Sequence, residues 1–100
     1  IGKGFDHSAP IGPITPAAQA GDVGKAGIWL QVNGVDRQRS NVAQLIWNIA
    51  ETIEHLSAAW ELQPGDLIYT GTPEGVGAVV TGDVLEGGVD GLGSIRLKLV

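Results

Sequence analysis

The chain has 100 residues and a net charge of -5, a size that fits one domain and buries roughly two thirds of the unfolded surface. Its basic residues are scattered along the sequence, which argues against nucleic acid and anionic membranes as partners because both require a concentrated positive patch. Without cysteine there is no disulfide or thiolate site, and no apolar run approaches the roughly 18 residues of a membrane span. We expect this part of the protein to be soluble. Composition alone leaves the compartment open, and the absence of cysteine is compatible with the cytoplasmic location that we expect.

Residues 1–24 are rich in Gly, Pro and Ala and predict an ordered loop or short irregular segments. Residues 26–33 predict a strand with one buried face, because the apolar residues alternate with others. The apolar set is Ile28, Leu30 and Val32, and the intervening residues are Trp29 and Gln31. Asn33-Gly34 predicts a two-residue hairpin turn, so residues 35–39 should return as a second strand.

A single amphipathic helix is predicted between residues 42 and 60. Its apolar stripe consists of Val42, Leu45, Ile46, Ile49, Ile53, Leu56 and Trp60. Asn41 and Gln44 can form a capping box at its start, with Ser40 as an alternative cap. Glu51 and His55 lie four residues apart on the opposite face, so His55 is interpreted as a solvated partner of Glu51 and not as a catalytic residue.

The remaining chain predicts short strands separated by glycine-rich turns. Residues 64–66 read Pro-Gly-Asp, a turn in which Asp66 can accept from nearby backbone amides. Strands are predicted at 67–70, 84–86 and 94–100. One helix among about five or six short strands defines an α+β, strand-dominated domain.

A glycine-flanked threonine follows the predicted strand at 67–70. Gly71 and Gly75 permit close backbone approach, and Pro73 removes one donor and stiffens the segment that contains Thr72. Two interpretations stay open, a wide turn or a ligand-binding loop. A nucleotide-binding P-loop is rejected, because no Gly-Lys-Ser or Gly-Lys-Thr follows.

The other polar residues do not form a recognisable catalytic or metal-binding motif. Asp6, His7 and Ser8 are adjacent in sequence, so they cannot align as a nucleophilic triad, and no Gly-x-Ser-x-Gly motif occurs. Neither Asp6 and His7 nor the later Asp66 and Asp83 show spacings that place metal ligands on one face. Lys3, between two glycines, would by itself be interpreted as a solvated side chain.

Taken together, four segments in order, residues 2–13, 32–38, 62–66 and 70–77, resemble the carboxy-terminal part of the fumarylacetoacetate hydrolase family. Within it the chain is most similar to the acylpyruvate and fumarylpyruvate hydrolases. We therefore expect residues 1–100 to be the carboxy-terminal part of a single catalytic domain whose amino-terminal part is absent.

The resemblance implies a mixed β-sandwich roll and a hydrolase that cleaves a carbon-carbon bond of a fumarylpyruvate or related acylpyruvate, releasing pyruvate in aromatic-acid catabolism. It implies a catalytic Lys3 that stabilises developing negative charge, and a substrate site formed by Lys3, Gly71 and Thr72. It also implies Mg²⁺, or Mn²⁺ or Ca²⁺, whose ligands are expected upstream, with no metal ligand in this chain. The fragment alone is expected to be inactive.

The implied partner is a small dioxo-carboxylate substrate, and relatives of this kind are commonly homodimers. A decarboxylase or isomerase of a related diketo or hydroxymuconate acid stays open as an alternative. A second alternative is a non-catalytic β-rich binding or assembly module, which Trp29 and Trp47 would favour if they were exposed at an interface.

Overall fold

The computed structural model describes residues 6–100. Within them lies one sheet of strands β1 (Gly27–Val32), β2 (Val35–Asn41), β3 (Val84–Val89) and β4 (Gly93–Lys98). The helices are the short α1 (Ala17–Ala20) and the main helix α2 (Ile49–Ala59), with a 3₁₀ turn at Val42–Gln44. The predicted α+β, strand-dominated class is confirmed.

The sheet is antiparallel, with the strand order β2-β1-β3-β4. The predicted hairpin turn joins β1 to β2, and Asn33 and Gly34 have φ values of 52° and 81°, as the type I′ turn requires. The Asn33 side chain also ties this turn to the start of β3, because its Oδ1 accepts from the backbone N–H of Val84 at 3.0 Å. The hairpin and β3 are thus joined beyond the sheet ladder.

The two faces of the sheet differ in composition. Cross-strand pairing places the alternate residues of β1 on one face with apolar residues of β3 and β4. This apolar face consists of Ile28, Leu30, Val32, Leu85, Val89, Ile95 and Leu97. Among the described residues Val32, 4% exposed, is the hydrophobic residue that is buried. The amino-terminal segment crosses this face, since a Cβ built on Gly12 would lie 3.7 Å from Cβ of Ile95.

The opposite face carries Trp29, whose indole lies across the neighbouring strand. Trp29 pairs with Gly88 of β3, and a Cβ built on Gly88 would lie 3.0 Å from Cζ2 of Trp29. The absence of a side chain at Gly88 thus makes room for the ring. This contact favours packing within the sheet as the role of Trp29.

An irregularity in β2 changes which residues share a face. Leu30 pairs with Gln38 and Gln31 with Asp36, so Arg37 is an extra residue opposite the Leu30/Gln31 step. Such a β-bulge shifts the side-chain alternation by one residue. Accordingly, Asp36 and Arg39 form an ion pair at 3.0 Å although they lie three positions apart. The same shift places Gln38 on the apolar face, beside Leu30.

The predicted continuous helix is wrong in its first half. Leu45 and Asn48 have extended backbone, with ψ values of 136° and 173°, and α2 begins only after Asn48. The Asn48 side chain accepts from the backbone N–H of Glu51, and the Glu51 side chain accepts in return from the N–H of Asn48. The capping box is therefore Asn48 with Glu51, and Asn41 caps only the 3₁₀ turn. A short amide side chain that bonds to nearby backbone competes with helix at this position.

The predicted pairing of Glu51 with His55 is also wrong. The Glu51 carboxylate is used in the capping box, and the imidazole of His55 stacks on Trp47 with ring centroids 4.0 Å apart and an angle of 13° between the planes. Trp47 precedes α2, so its ring can lie along the first turns of the helix. Both residues are exposed, and this stack assigns His55 a local packing role.

Residues 67–70 do not form the predicted strand in the described chain. A strand needs a neighbour for its backbone hydrogen bonds, and neither edge of the described sheet pairs with this segment. Tyr69 instead donates its hydroxyl to the carbonyl of Ala9 at 3.2 Å. The strand-like apolar run at 67–70 therefore has no hydrogen-bonded neighbour in the described sheet. Separately, the described part of the chain contains no helix of the length and hydropathy needed to cross a membrane.

The hydrogen bonds of Asp83 make the stability of the fold dependent on pH. Its carboxylate accepts from the backbone N–H of Val80 and the side-chain amide of Asn33, each at 3.0 Å. Both hydrogen bonds lower the pKa of Asp83, and the bond from the Val80 backbone has the larger effect. A lowered folded-state pKa means that the stabilisation is complete above the unfolded pKa of about 3.9 and is lost as the pH falls through the folded value.

We therefore expect the difference in Tm between the wild type and Asp83→Asn to be largest near neutral pH and to shrink below about pH 4. Thermal unfolding of both proteins across acidic to neutral pH measures it. Parallel curves over the whole range would contradict this role of the Asp83 carboxylate.

Candidate functional site

The segment from residue 71 to residue 77 lies against the edge strand β2. Gly71 and Gly75 have φ values of 86° and 100°, which only glycine adopts without strain. Between them, Thr72 is exposed and Pro73 is half-buried. We call residues 71–77 the threonine loop. Its conformation depends on these two glycines and on contacts with β2.

One side chain of β2 holds the threonine loop. The amide nitrogen of Gln38 donates to Oγ1 of Thr72 at 2.8 Å and to the carbonyl of Pro73 at 2.7 Å. The carbonyl of Glu74 lies further away, at 3.4 Å. Gln38 reaches these acceptors from the apolar face, where the bulge at Arg37 places it.

Gly75 brings the loop backbone into direct contact with the bulge. A Cβ built on Gly75 would collide with the carbonyl oxygen of Arg37, and it would lie 3.1 Å from Cγ of Gln38. Gly77 follows with the Arg37 guanidinium beside it, since a Cβ there would lie 3.4 Å from the Nη1 atom. Glycine at position 75 therefore allows an approach to β2 that no other residue could make unchanged.

The predicted substrate-binding residues differ in what surrounds them. Thr72 is held by Gln38, whereas a Cβ built on Gly71 would meet open space. Lys3 lies outside the described residues. The threonine loop thus presents an anchored hydroxyl and an uncrowded backbone to solvent. The roles of Lys3, Gly71 and Thr72 in substrate binding remain predictions.

The clefts of the described chain include two that differ in their relation to the threonine loop. One, with a volume of about 570 Å³, is open and polar and lies beside the threonine loop, lined by Ser40, Asn41, Gln44, Pro73 and Glu74. The other, of about 330 Å³, lies between residues 21–24 and the start of α2 and includes none of the predicted site residues. The first cleft is the one relevant to the threonine loop, because Pro73 and Glu74 belong to both.

The acidic and imidazole side chains of residues 6–100 do not assemble a metal site. No group of three or more His, Cys, Asp or Glu residues in this range could hold an ion. Asp66 accepts from the backbone N–H of Gln63 at 2.8 Å, which confirms its predicted role in the turn. Asp83 is likewise used by Val80 and Asn33. The described residues therefore do not fit a divalent ion.

Gln38 is the residue of this site to which the sequence pattern assigned no role. In a regular strand it would share a face with Asp36, and only the bulge brings it to the face of Leu30. The sequence of β2 carries a weak signal of an irregular strand, because five successive residues from Asp36 to Ser40 are polar or charged and so do not alternate with apolar ones. A bulge could be suspected there, but its position could not be derived.

Comparison with known proteins identifies the family. The model of the fumarylacetoacetate (FAA) hydrolase C-terminal family matches residues 1–100. The chain is 51% identical over 98 residues to the fumarylpyruvate hydrolase of a Ralstonia species, covering 98% of this chain and 50% of that protein. The chain belongs to the fumarylacetoacetate hydrolase family, and the resemblance found in the sequence is confirmed.

Solved structures agree with this assignment. The crystal structure of fumarylpyruvate hydrolase from Pseudomonas aeruginosa in complex with Mn²⁺ and pyruvate has a TM-score of 0.93 and 57% identity, covering 96% of this chain and 41% of that one. A 5-carboxymethyl-2-hydroxymuconate delta-isomerase from Mycobacterium smegmatis has a TM-score of 0.77 and 40% identity, and the match covers 79% of this chain and 32% of the isomerase. The chain spans about half the length of the Ralstonia relative, so the activity of the whole protein is a matter for proposal.

Proposed function

We propose that the full-length protein carrying this chain hydrolyses a carbon-carbon bond in fumarylpyruvate or a related acylpyruvate and releases pyruvate in aromatic-acid catabolism. The observation that carries the proposal is the 51% identity to a fumarylpyruvate hydrolase across nearly the whole chain. The anchored Thr72 hydroxyl supports it, because a fixed donor suits a substrate that ends in a carboxylate.

In the proposed reaction, water adds to the acyl carbonyl of the substrate, and the bond between that carbon and the neighbouring methylene breaks. The electron pair of this bond forms the enolate of pyruvate, which takes up a proton, and the acyl group leaves as a carboxylic acid. Negative charge therefore develops on the pyruvate half. Lys3 is the proposed catalytic residue that stabilises this charge, and Thr72 with the Gly71 backbone holds the carboxylate.

A divalent cation is proposed as the cofactor, Mg²⁺ or Mn²⁺ or Ca²⁺, with ligands outside this chain. The complex of the Pseudomonas relative with Mn²⁺ and pyruvate supports a divalent metal. Residues 6–100 hold no cluster of metal-binding side chains, so the residues that would hold the ion are proposed to lie outside them. We propose that these 100 residues alone are inactive, and that the full-length protein is a cytoplasmic homodimer.

The test follows the loss of the diketo-enol absorbance of fumarylpyruvate and acetylpyruvate together with the appearance of pyruvate. We expect the full-length protein to release one pyruvate per substrate with Mg²⁺ or Mn²⁺, and to stop when a chelator removes the metal. The chain of residues 1–100, assayed in parallel, should release none. Turnover that survives exhaustive chelation would contradict the metal requirement, and sedimentation of a single monomeric species would contradict the homodimer.

An isomerase or decarboxylase of a related diketo acid is the second candidate. The isomerase alternative is favoured by the 40% identity to the Mycobacterium smegmatis isomerase. Hydrolysis, isomerisation and decarboxylation share an enolate intermediate, so the residues proposed to bind the substrate could act in each of the three reactions. Absorbance loss without pyruvate would favour isomerisation, and release of carbon dioxide from oxaloacetate would favour decarboxylation. The packing of Trp29 over Gly88 disfavours a non-catalytic module. Trp47, which is exposed beside His55, does not decide between the alternatives.

A further inference from the structure

The amide of Gln38 has an orientation that its acceptors determine. The carbonyl oxygen of Pro73, 2.7 Å away, can only accept a hydrogen bond, so the atom of Gln38 that faces it must be the NH₂ group. An amide flipped by 180° would place two carbonyl oxygens against each other. One hydrogen of the NH₂ group therefore points at Pro73, and the other is available for Thr72.

The second hydrogen of Gln38 determines how the Thr72 hydroxyl is used. Oγ1 of Thr72 lies 2.8 Å from the same nitrogen and acts there as the acceptor. A hydroxyl has one hydrogen of its own and rotates to suit its partners. With its oxygen accepting from Gln38, that hydrogen is directed away from β2. Thr72 is exposed, so its hydrogen can point at a ligand.

The ligand chemistry that matches such a hydroxyl is an acceptor without hydrogens, such as a carboxylate. A threonine free to rotate would lose part of its interaction with a carboxylate to the entropy of ordering the side chain. The bond from Gln38 restricts that freedom before the ligand arrives. The same amide also ties down the backbone at Pro73, and the loop approaches β2 closely at Gly75.

We propose that Gln38 is a positioning residue that orients the Thr72 hydroxyl as a donor to the carboxylate of the substrate. The inference rests on the proposed function, and it adds a residue of β2 that acts through Thr72 without touching the substrate. It also gives the bulge at Arg37 a purpose, because without the bulge Gln38 would face the other side of the sheet.

The experiment combines Gln38→Met and Thr72→Val in the full-length protein. Methionine keeps the length of glutamine and removes both donors, and valine keeps the shape of threonine and removes the hydroxyl. We expect each substitution to raise KM for acetylpyruvate on the order of 10-fold, with a smaller change in kcat. If Gln38 acts through Thr72, the double variant has about the KM of Thr72→Val alone.

A substrate lacking the carboxylate separates positioning from general loosening of the fold. With the ethyl ester of acetylpyruvate, Gln38→Met should have nearly the wild-type KM, because the group that Thr72 binds is masked. Gln31→Met is the matched control. Gln31 donates to Asp36 at 2.9 Å on the opposite face of the sheet, so the same exchange there should leave both substrates unaffected.

The outcomes distinguish the inference from the proposed function. A wild type that cleaves no acylpyruvate overturns both. Two results with an active wild type overturn the positioning role alone. One is that the effects of Gln38→Met and Thr72→Val on KM multiply in the double variant. The other is that Gln38→Met raises KM for the ester as much as KM for the acid. If Gln38→Met does not fold, Gln38→Asn, which keeps the amide but is one methylene too short, replaces it in the same cycle.

Discussion

Replacement of Lys3 by methionine in the full-length protein is expected to lower kcat for acetylpyruvate on the order of 100- to 1,000-fold. The physical reason is that a fixed ammonium placed where negative charge develops stabilises the transition state more than the bound substrate. Methionine retains much of the length of the lysine side chain and removes its charge. Steady-state measurement of pyruvate release with saturating metal gives kcat and KM separately.

Lys25→Met is the control for the loss of one positive charge. Lys25 is exposed and its backbone carbonyl accepts from Asn41, a bond that the substitution leaves in place. We expect kinetic constants close to those of the wild type. A Lys3→Met variant that raises KM and leaves kcat unchanged would show that Lys3 contributes uniform binding and not stabilisation of the transition state.

Gly75→Ala is expected to displace the threonine loop. The new methyl group would collide with the carbonyl oxygen of Arg37, and the φ of 100° is unfavourable for any side chain. Strain and overpacking together should lower the free energy of unfolding by about 2 kcal/mol. Since the displaced loop moves Thr72 away from Gln38, we also expect KM for acetylpyruvate to rise about 10-fold.

Gly65→Ala is the control that separates backbone strain from the collision with Arg37. Gly65 has a similar φ of 95°, but a Cβ built on it would meet nothing within 4 Å. It should therefore show the cost of strain, about 1 kcal/mol, without a change in KM. Thermal or denaturant unfolding combined with kinetics measures both quantities. Equal KM values for the two alanine variants would argue against the contact between Gly75 and β2 as the anchor of the loop.

Sequence patterns predicted the elements whose signals are local. The alternation of Ile28, Leu30 and Val32 reflects one buried face of a strand, and Asn33-Gly34 tolerates the positive φ of the hairpin turn. Asp66 also behaves as its turn motif predicts. In each case the cause lies within a few residues of the chain, so it can be recognised without knowledge of the rest.

The errors arose where two local signals compete or where a partner is needed. Asn48 lies in an apolar pattern of helical period, yet its side chain caps the start of α2, and the 3₁₀ turn before it ends at Gln44. The periodicity of 42–60 predicted a helix but not its start. Residues 67–70 have strand-like composition, but a strand forms only when a neighbouring backbone supplies its hydrogen bonds.

The sequence by itself determined the α+β class, the hairpin and the family to which the chain belongs, because these depend on local periodicity and on motifs in a fixed order. Only the tertiary structure decided how the threonine loop is held. The bulge at Arg37 shifts the alternation of β2, and Gln38 then meets Thr72 across 34 positions of sequence. A one-residue shift in strand register moves a side chain to the other face, and no local pattern specifies where that shift occurs.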